Sequence, residues 1–94
     1  MTVSIEEVQK VLNSIMDSIK ERGVLKIEIS EDYYWDIVKN DLYKIENQPK
    51  KMTLGSLSDD IEEVRKINNG DYDPVAYNLH KVNAILRYIS ENTP

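Results

Sequence analysis

The segment SEDYYWDIVKNDLYKIEN, residues 30–47, decides the fold because three aromatic residues stand side by side in it among acids. If the segment is a strand, Tyr33 and Trp35 lie on one face and Tyr34 on the other. If it is a helix, Tyr34 shares a face with Ile37 instead. The sequence leaves both alternatives open. In either case the three rings cannot all point into one core, and the simplest prediction buries Trp35 with one tyrosine and leaves the other tyrosine at the surface.

The N-terminal flank of this segment predicts a helix followed by a strand. Residues 4–23, SIEEVQKVLNSIMDSIKERG, have apolar residues at steps of three and four, which is typical of an amphipathic helix. Ser4 with Glu7 forms a capping box, and Gly23 is a left-handed stop. Residues 25–29 then alternate apolar and charged side chains, the pattern of a half-buried strand.

The C-terminal flank predicts one more strand and two helices. A second strand is expected at 52–57, where it pairs antiparallel with 25–29. The segment SLSDDIEEVRKINNG, residues 56–70, is predicted to enter a helix through Ser58 and to leave it at Gly70. A last helix is expected with Asp73 as its N-cap and Pro74 in its first position. We therefore predict a small α+β protein, one single domain over 1–94, with about three helices packed on a short two-stranded antiparallel ribbon.

The composition narrows the classes of function. The chain has no cysteine and one histidine, His80, so thiolate chemistry and paired-histidine metal sites are excluded within one chain. The net charge is −5, and residues 31–63 supply nearly all of it, with nine acids against four lysines. Such a segment repels phosphate backbones and attracts basic proteins. We expect no nucleic acid, no membrane, no metal and no cofactor among its ligands, and a cytoplasmic location.

The acidic and aromatic residues of 31–63 form the candidate binding site. One interpretation makes them core and solvated surface; the other makes them contacts for a basic protein, since Tyr and Trp are favoured interface anchors. Acids in the first turn of a helix are also what its dipole favours without any partner. The predicted contacts are Asp32, Tyr33, Tyr34, Trp35, Asp36, Asp41, Asp59 and Asp60. No catalytic residue is predicted, and we expect the protein not to be an enzyme.

Three motifs, EDYYWDI, GSLSDD and LHKVNAILRYI, resemble a group of small acidic bacterial proteins with no assigned activity. The resemblance implies no functional residue. By analogy of size and charge, the sharpest hypothesis is an immunity-type inhibitor of a basic bacterial toxin, within the broader class of non-catalytic protein-binding modules. The alternative is a structural or assembly domain that forms a homodimer through apolar surface left over from its long helices, of which the last has the apolar stripe to serve two neighbours.

Overall fold

The computed structural model describes residues 1–37, 42–46, 48–49 and 51–93. Its elements in these ranges are α1 (Ile5–Glu21), β1 (Tyr33–Ile37), β2 (Met52–Ser56), α2 (Leu57–Asn68), a 3-10 helix (Ala76–Asn78) and α3 (Leu79–Asn92). Three helices and a two-stranded antiparallel sheet confirm the α+β class. The chain divides into two compact units, Met1–Glu28 with Ile89–Pro94, and Ile29–Tyr88. The expectation of a single domain stays a prediction.

Helix α1 begins and ends where its sequence predicts. The Ser4 hydroxyl accepts a hydrogen bond from the Glu7 N–H at 3.0 Å, which satisfies one of the first-turn donors. Gly23 follows the helix at φ +89°, a conformation that residues with a Cβ rarely adopt. No residue of α1 is buried, although its apolar side chains form a regular stripe.

The sheet uses a different first strand from the one predicted. β1 is Tyr33–Ile37, in antiparallel register with β2, so that Tyr34 faces Gly55 and Trp35 faces Leu54. Residues 25–29 are not in a strand, and the prediction of a strand there was wrong. An alternating pattern shows which side chains share a face, but it does not supply the neighbouring strand that a ladder requires. The helix alternative for 33–37 is also wrong, while the second predicted strand is confirmed as β2.

The start of α2 lies two residues earlier than predicted. Ser56, the last residue of β2, is the N-cap in place of Ser58, and its hydroxyl accepts from the Asp59 N–H at 3.4 Å. Strand and helix therefore share this residue with no loop between them. The predicted end is confirmed, because Gly70 has φ +77° just beyond the C-cap Asn69.

The start of α3 lies later than predicted. Val75 is extended, at φ −124° and ψ 157°, so no helix can run through it from an N-cap at Asp73. The 3-10 turn that follows is closed by a bond from the Asn78 N–H to the Val75 carbonyl at 2.9 Å. The α-helix itself begins at Leu79.

The buried centre of the unit Ile29–Tyr88 is small. Leu57 in α2 is 3% exposed and Tyr88 in α3 is 9% exposed, and these are its buried apolar side chains among the described residues. The Tyr88 hydroxyl accepts from the Ser30 N–H at 2.9 Å and lies 3.1 Å from the Ser30 hydroxyl. These two bonds hold the pKa of Tyr88 below its usual value. They also attach the chain just before β1 to the last helix.

None of the helices in the described ranges is both long enough and apolar enough to cross a bilayer.

Candidate functional site

One face of the ribbon exposes a group of large apolar side chains. Tyr33 and Trp35 of β1 are 68% and 65% exposed, and Leu54, the cross-strand neighbour of Trp35, is 62% exposed. Met52 lies further along the same side of β2 and is also exposed. We call Tyr33, Trp35, Met52 and Leu54 the aromatic face. The prediction that Trp35 is core is therefore wrong.

The opposite face of the ribbon carries Tyr34, which is half-buried. Its ring lies over Gly55, and a Cβ at that position would overlap the ring carbons Cζ, Cε1 and Cε2. A glycine is required here because the aromatic ring occupies the space of a side chain. Tyr34 is thus the one member of the aromatic triplet that packs inward.

The Tyr34 hydroxyl joins the ribbon to α2. It donates to Oδ2 of Asp60 at 2.7 Å, and Asp60 is only 6% exposed. Burial raises the pKa of Tyr34 well above its usual value, and the bond to Asp60 and the negative charges of Asp60 and Asp36 raise it further. Tyr34 therefore stays a neutral donor at every physiological pH, which suits a structural bond.

Asp32 fastens the start of β1 to the start of α2. Its carboxylate accepts from the Ser58 N–H at 2.6 Å, from the Ser58 hydroxyl at 2.8 Å and from the Ser56 hydroxyl at 3.2 Å. Its carbonyl accepts from the Leu57 N–H at 2.7 Å. The bond from the Ser58 N–H, followed by the Ser58 hydroxyl, lowers the pKa of Asp32 below its usual value. The carboxylate also places a negative charge at the positive end of the α2 dipole.

The predicted contact residues therefore divide by role. Tyr33, Trp35 and Asp36 are exposed on the ribbon, although Asp36 lies on the Tyr34 side, and Asp59 is exposed in the first turn of α2. Asp32, Tyr34 and Asp60 are engaged in bonds within the fold. Asp41 lies outside the described residues.

Two members of the aromatic face, Met52 and Leu54, are absent from the set predicted from the sequence. The strand pattern of 52–57 was recognisable, but its face could be assigned only with the register that sets Leu54 opposite Trp35. The sequence also did not predict that Ser56 and Ser58 bind Asp32. These partners are 24 and 26 residues away from Asp32 along the chain, so no local pattern indicates the bonds.

In the described part of the chain, no group of three His, Cys, Asp or Glu side chains is placed to hold a metal ion. His80 is exposed in the first turn of α3. The exposed side chains that converge on the aromatic face are apolar and aromatic.

Comparison of the chain with protein-family models, with curated proteins and with solved structures gave no match. The resemblance to small acidic bacterial proteins accordingly stays a prediction.

Proposed function

We propose that this protein is a non-catalytic module that binds another protein through the aromatic face. The observation that carries the proposal is the exposure of Tyr33, Trp35 and Leu54 together on one side of a two-stranded ribbon. Scattered single apolar residues are normal on a protein surface, but a contiguous group that includes Trp and Tyr is typical of an interaction site.

The backbone beneath the aromatic face is held by contacts within the fold, which favours binding. On the opposite face of the ribbon, Tyr34 packs on Gly55 and bonds to Asp60. At one end of the ribbon, Asp32 bonds to the start of α2. The exposed rings thus stand on a fixed backbone, and little backbone entropy remains to be lost on association. Aromatic side chains add large contact area for few rotatable bonds.

The charge of the surrounding chain favours a basic partner. Residues 31–63 carry nine acids and four lysines, and exposed acids such as Glu31 and Asp36 stand on or beside the ribbon. Such a surface accelerates encounter with a protein of opposite charge, and screening by salt weakens the effect. The sharpest form of the proposal is an immunity-type inhibitor of a basic bacterial toxin, acting in the cytoplasm.

The test begins with affinity capture from a lysate of the native host at low salt, followed by titration of the purified captured protein. Trp35→Ala is expected to weaken binding by roughly 30-fold, the effect of losing a central aromatic anchor, and Tyr33→Ala is expected to act in the same direction. Tyr72→Ala is the matched control, because Tyr72 is also exposed but lies outside the ribbon. The association rate should fall as salt is raised.

Equal binding by the Trp35→Ala and Tyr72→Ala proteins would refute the aromatic face as the site. An association rate unchanged by salt would refute the basic partner while leaving the face itself in place. Circular dichroism of each variant shows whether the fold is retained.

The homodimer through the last helix is less well supported. In α3, Leu79 is exposed, but Val82, Ile85, Leu86 and Ile89 are half-buried and Tyr88 is buried, so that stripe offers little free apolar surface. Packing of a helix on the ribbon is retained as part of the proposal. The bond between Tyr34 and Asp60 supports it for α2 alone.

A further inference from the structure

Strand β1 has one edge on β2 and one edge that faces away from it. In an antiparallel pair, residues that exchange backbone bonds alternate with residues whose N–H and C=O groups point to the opposite edge. The bond from the Leu57 N–H to the Asp32 carbonyl at 2.7 Å fixes this alternation. With the register of the two strands, the residues of β1 that bond to β2 are therefore Tyr34 and Asp36.

The outer edge of β1 consists of the backbone N–H and C=O groups of Tyr33, Trp35 and Ile37, which the same alternation turns away from β2. Among the described residues, no backbone bond outside the helices and the ladder involves any of the three. A row of unpaired backbone groups is a template for a further extended chain, and proteins commonly block such a row with Lys or Pro. β1 contains neither. The group that fits this edge is therefore the backbone of another strand.

We propose that the outer edge binds an extended basic segment of another protein as the third strand of the sheet. This inference rests on the proposed function and identifies the form in which the partner lies on the aromatic face. Tyr33 and Trp35 supply both the outward backbone groups and two of the exposed side chains of that face. A strand paired with them places every second side chain beside their rings. Apolar side chains suit these positions, because they bury area against Tyr and Trp.

The charges beside the outer edge determine which segment fits it. Residues 31–37 hold three acids and no Lys or Arg. Asp32 is engaged with α2, whereas Glu31 and Asp36 are exposed. Asp36 lies on the face opposite the aromatic face, where the remaining side chains of a third strand would lie, so Lys or Arg is favoured at those positions. A second copy of β1 would instead bring two acidic segments together. The segment that fits therefore alternates apolar and basic residues.

The outer edge of β2 fits such a segment less well. Met52–Ser56 contains no acid, and the exposed Lys51 precedes it, so basic side chains meet no opposite charge there. Ser56 is also the N-cap of α2, so that edge ends at a helix.

The first experiment measures amide hydrogen exchange of the full chain by NMR, alone and with a synthetic peptide of about seven residues in which Val alternates with Lys. In the free protein, Tyr34 and Asp36 should exchange roughly tenfold or more slowly than Tyr33 and Trp35, because only the former bond to β2. The peptide, at low salt, should protect Tyr33 and Trp35. Equal exchange of the four amides in the free protein, or no protection by the peptide, would overturn the proposal. Protection that increases with protein concentration in the absence of peptide would assign the edge to a second copy and overturn it as well.

Backbone pairing is separated from side-chain contact by two N-methylated forms of this peptide, one methylated at the Val residues and the other at the Lys residues. Both forms keep every side chain and charge. Because the backbone groups of a strand alternate in direction, only one set of N–H groups faces β1, and one form is expected to bind at least roughly tenfold more weakly than the other. Equal affinity of the two forms would overturn the outer edge as the site. If Trp35→Ala still abolished peptide binding in that case, the aromatic face would stand as the binding site without it.

A pair of variants tests the same edge from the side of the protein. Tyr33→Pro removes the ring and an outward N–H but no bond to β2, and proline is tolerated at the first residue of a strand. Tyr33→Ala removes the ring alone and is the matched control. We expect Tyr33→Pro to bind the peptide at least roughly tenfold more weakly than Tyr33→Ala, with the same far-ultraviolet circular dichroism. Equal binding by the two folded variants would contradict the pairing.

Discussion

Replacement of Tyr34 by Phe tests how the ribbon is attached to α2. The substitution keeps the ring over Gly55 and removes only the hydroxyl that donates to Asp60 at 2.7 Å. A hydrogen bond to a charged group contributes about 1.5–3 kcal/mol, and a buried acceptor left unpaired adds to the loss. Because Asp60 is buried but Tyr34 only partly so, we expect a loss of about 2 kcal/mol in the free energy of unfolding.

The assay is urea denaturation followed by far-ultraviolet circular dichroism at pH 7. In thermal denaturation, the same loss of about 2 kcal/mol lowers Tm by roughly 8–16 °C in a protein of this size. Tyr33→Phe is the matched control, since it removes the same atom from an exposed ring and should change the free energy of unfolding by less than about 0.5 kcal/mol. Asp60→Asn and the double variant complete a mutant cycle, which isolates the coupling between the two side chains.

The pH dependence gives a second measurement of the same bond. The pKa of Tyr34 is raised in the folded protein, whereas a tyrosine in the unfolded chain ionises near about pH 10. The contribution of Tyr34 is therefore complete below about pH 10 and is lost as the pH rises from there towards the folded pKa. The gap between wild type and Tyr34→Phe should narrow above about pH 10. Equal stabilities for Tyr34→Phe and Tyr33→Phe at pH 7 would refute the reasoning.

Three further predictions concern the same unit, each measured by urea denaturation. Gly55→Ala should destabilise it by about 1–3 kcal/mol, because its methyl group overlaps the Tyr34 ring; wild-type stability would show that the ring moves aside freely. Leu57→Ala should lose about 2–5 kcal/mol, since Leu57 is 3% exposed; a loss under about 1 kcal/mol would place it outside the core. Asp32→Asn should destabilise the protein at pH 7 but not at low pH. The pKa of Asp32 is lowered on folding, so its contribution is complete above the unfolded value, near about 4, and is lost as the pH falls through the folded value. A gap between Asp32→Asn and wild type that is the same at pH 3 and pH 7 would contradict this.

Local signals in the sequence predicted the parts of the fold that depend on neighbouring residues. Ser4 and Gly23 delimit α1 through bonds and dihedral angles within a few residues, and Gly70 ends α2 in the same way. These positions depend on the chemistry of one residue type, so a single sequence is sufficient to find them.

The choice of the first strand depended on a contact that no local pattern contains. Residues 25–29 and Tyr33–Ile37 both suit a strand, and the second pairs with β2, where Tyr34 meets Gly55 in the register. The same register determines which aromatic side chains are exposed. The candidate site could therefore be predicted as a segment, but its face could not, and Met52 and Leu54 were missed with it.

The roles of the acidic residues show the same limit. Composition marks 31–63 as acidic, but it does not separate acids that serve the fold from acids free to meet a partner. Asp32 and Asp60 bind across 26 residues of chain. Only these long-range bonds show that Asp32 and Asp60 serve the fold.

The exposure of Trp35 has a spectroscopic consequence, because it is the single tryptophan of the chain. An indole already in water changes its emission little when the protein unfolds, so tryptophan fluorescence will be a poor monitor of stability here. The same indole would leave water when a partner covers the ribbon. Its emission should then shift to shorter wavelength, which makes the unmodified protein its own optical probe of binding.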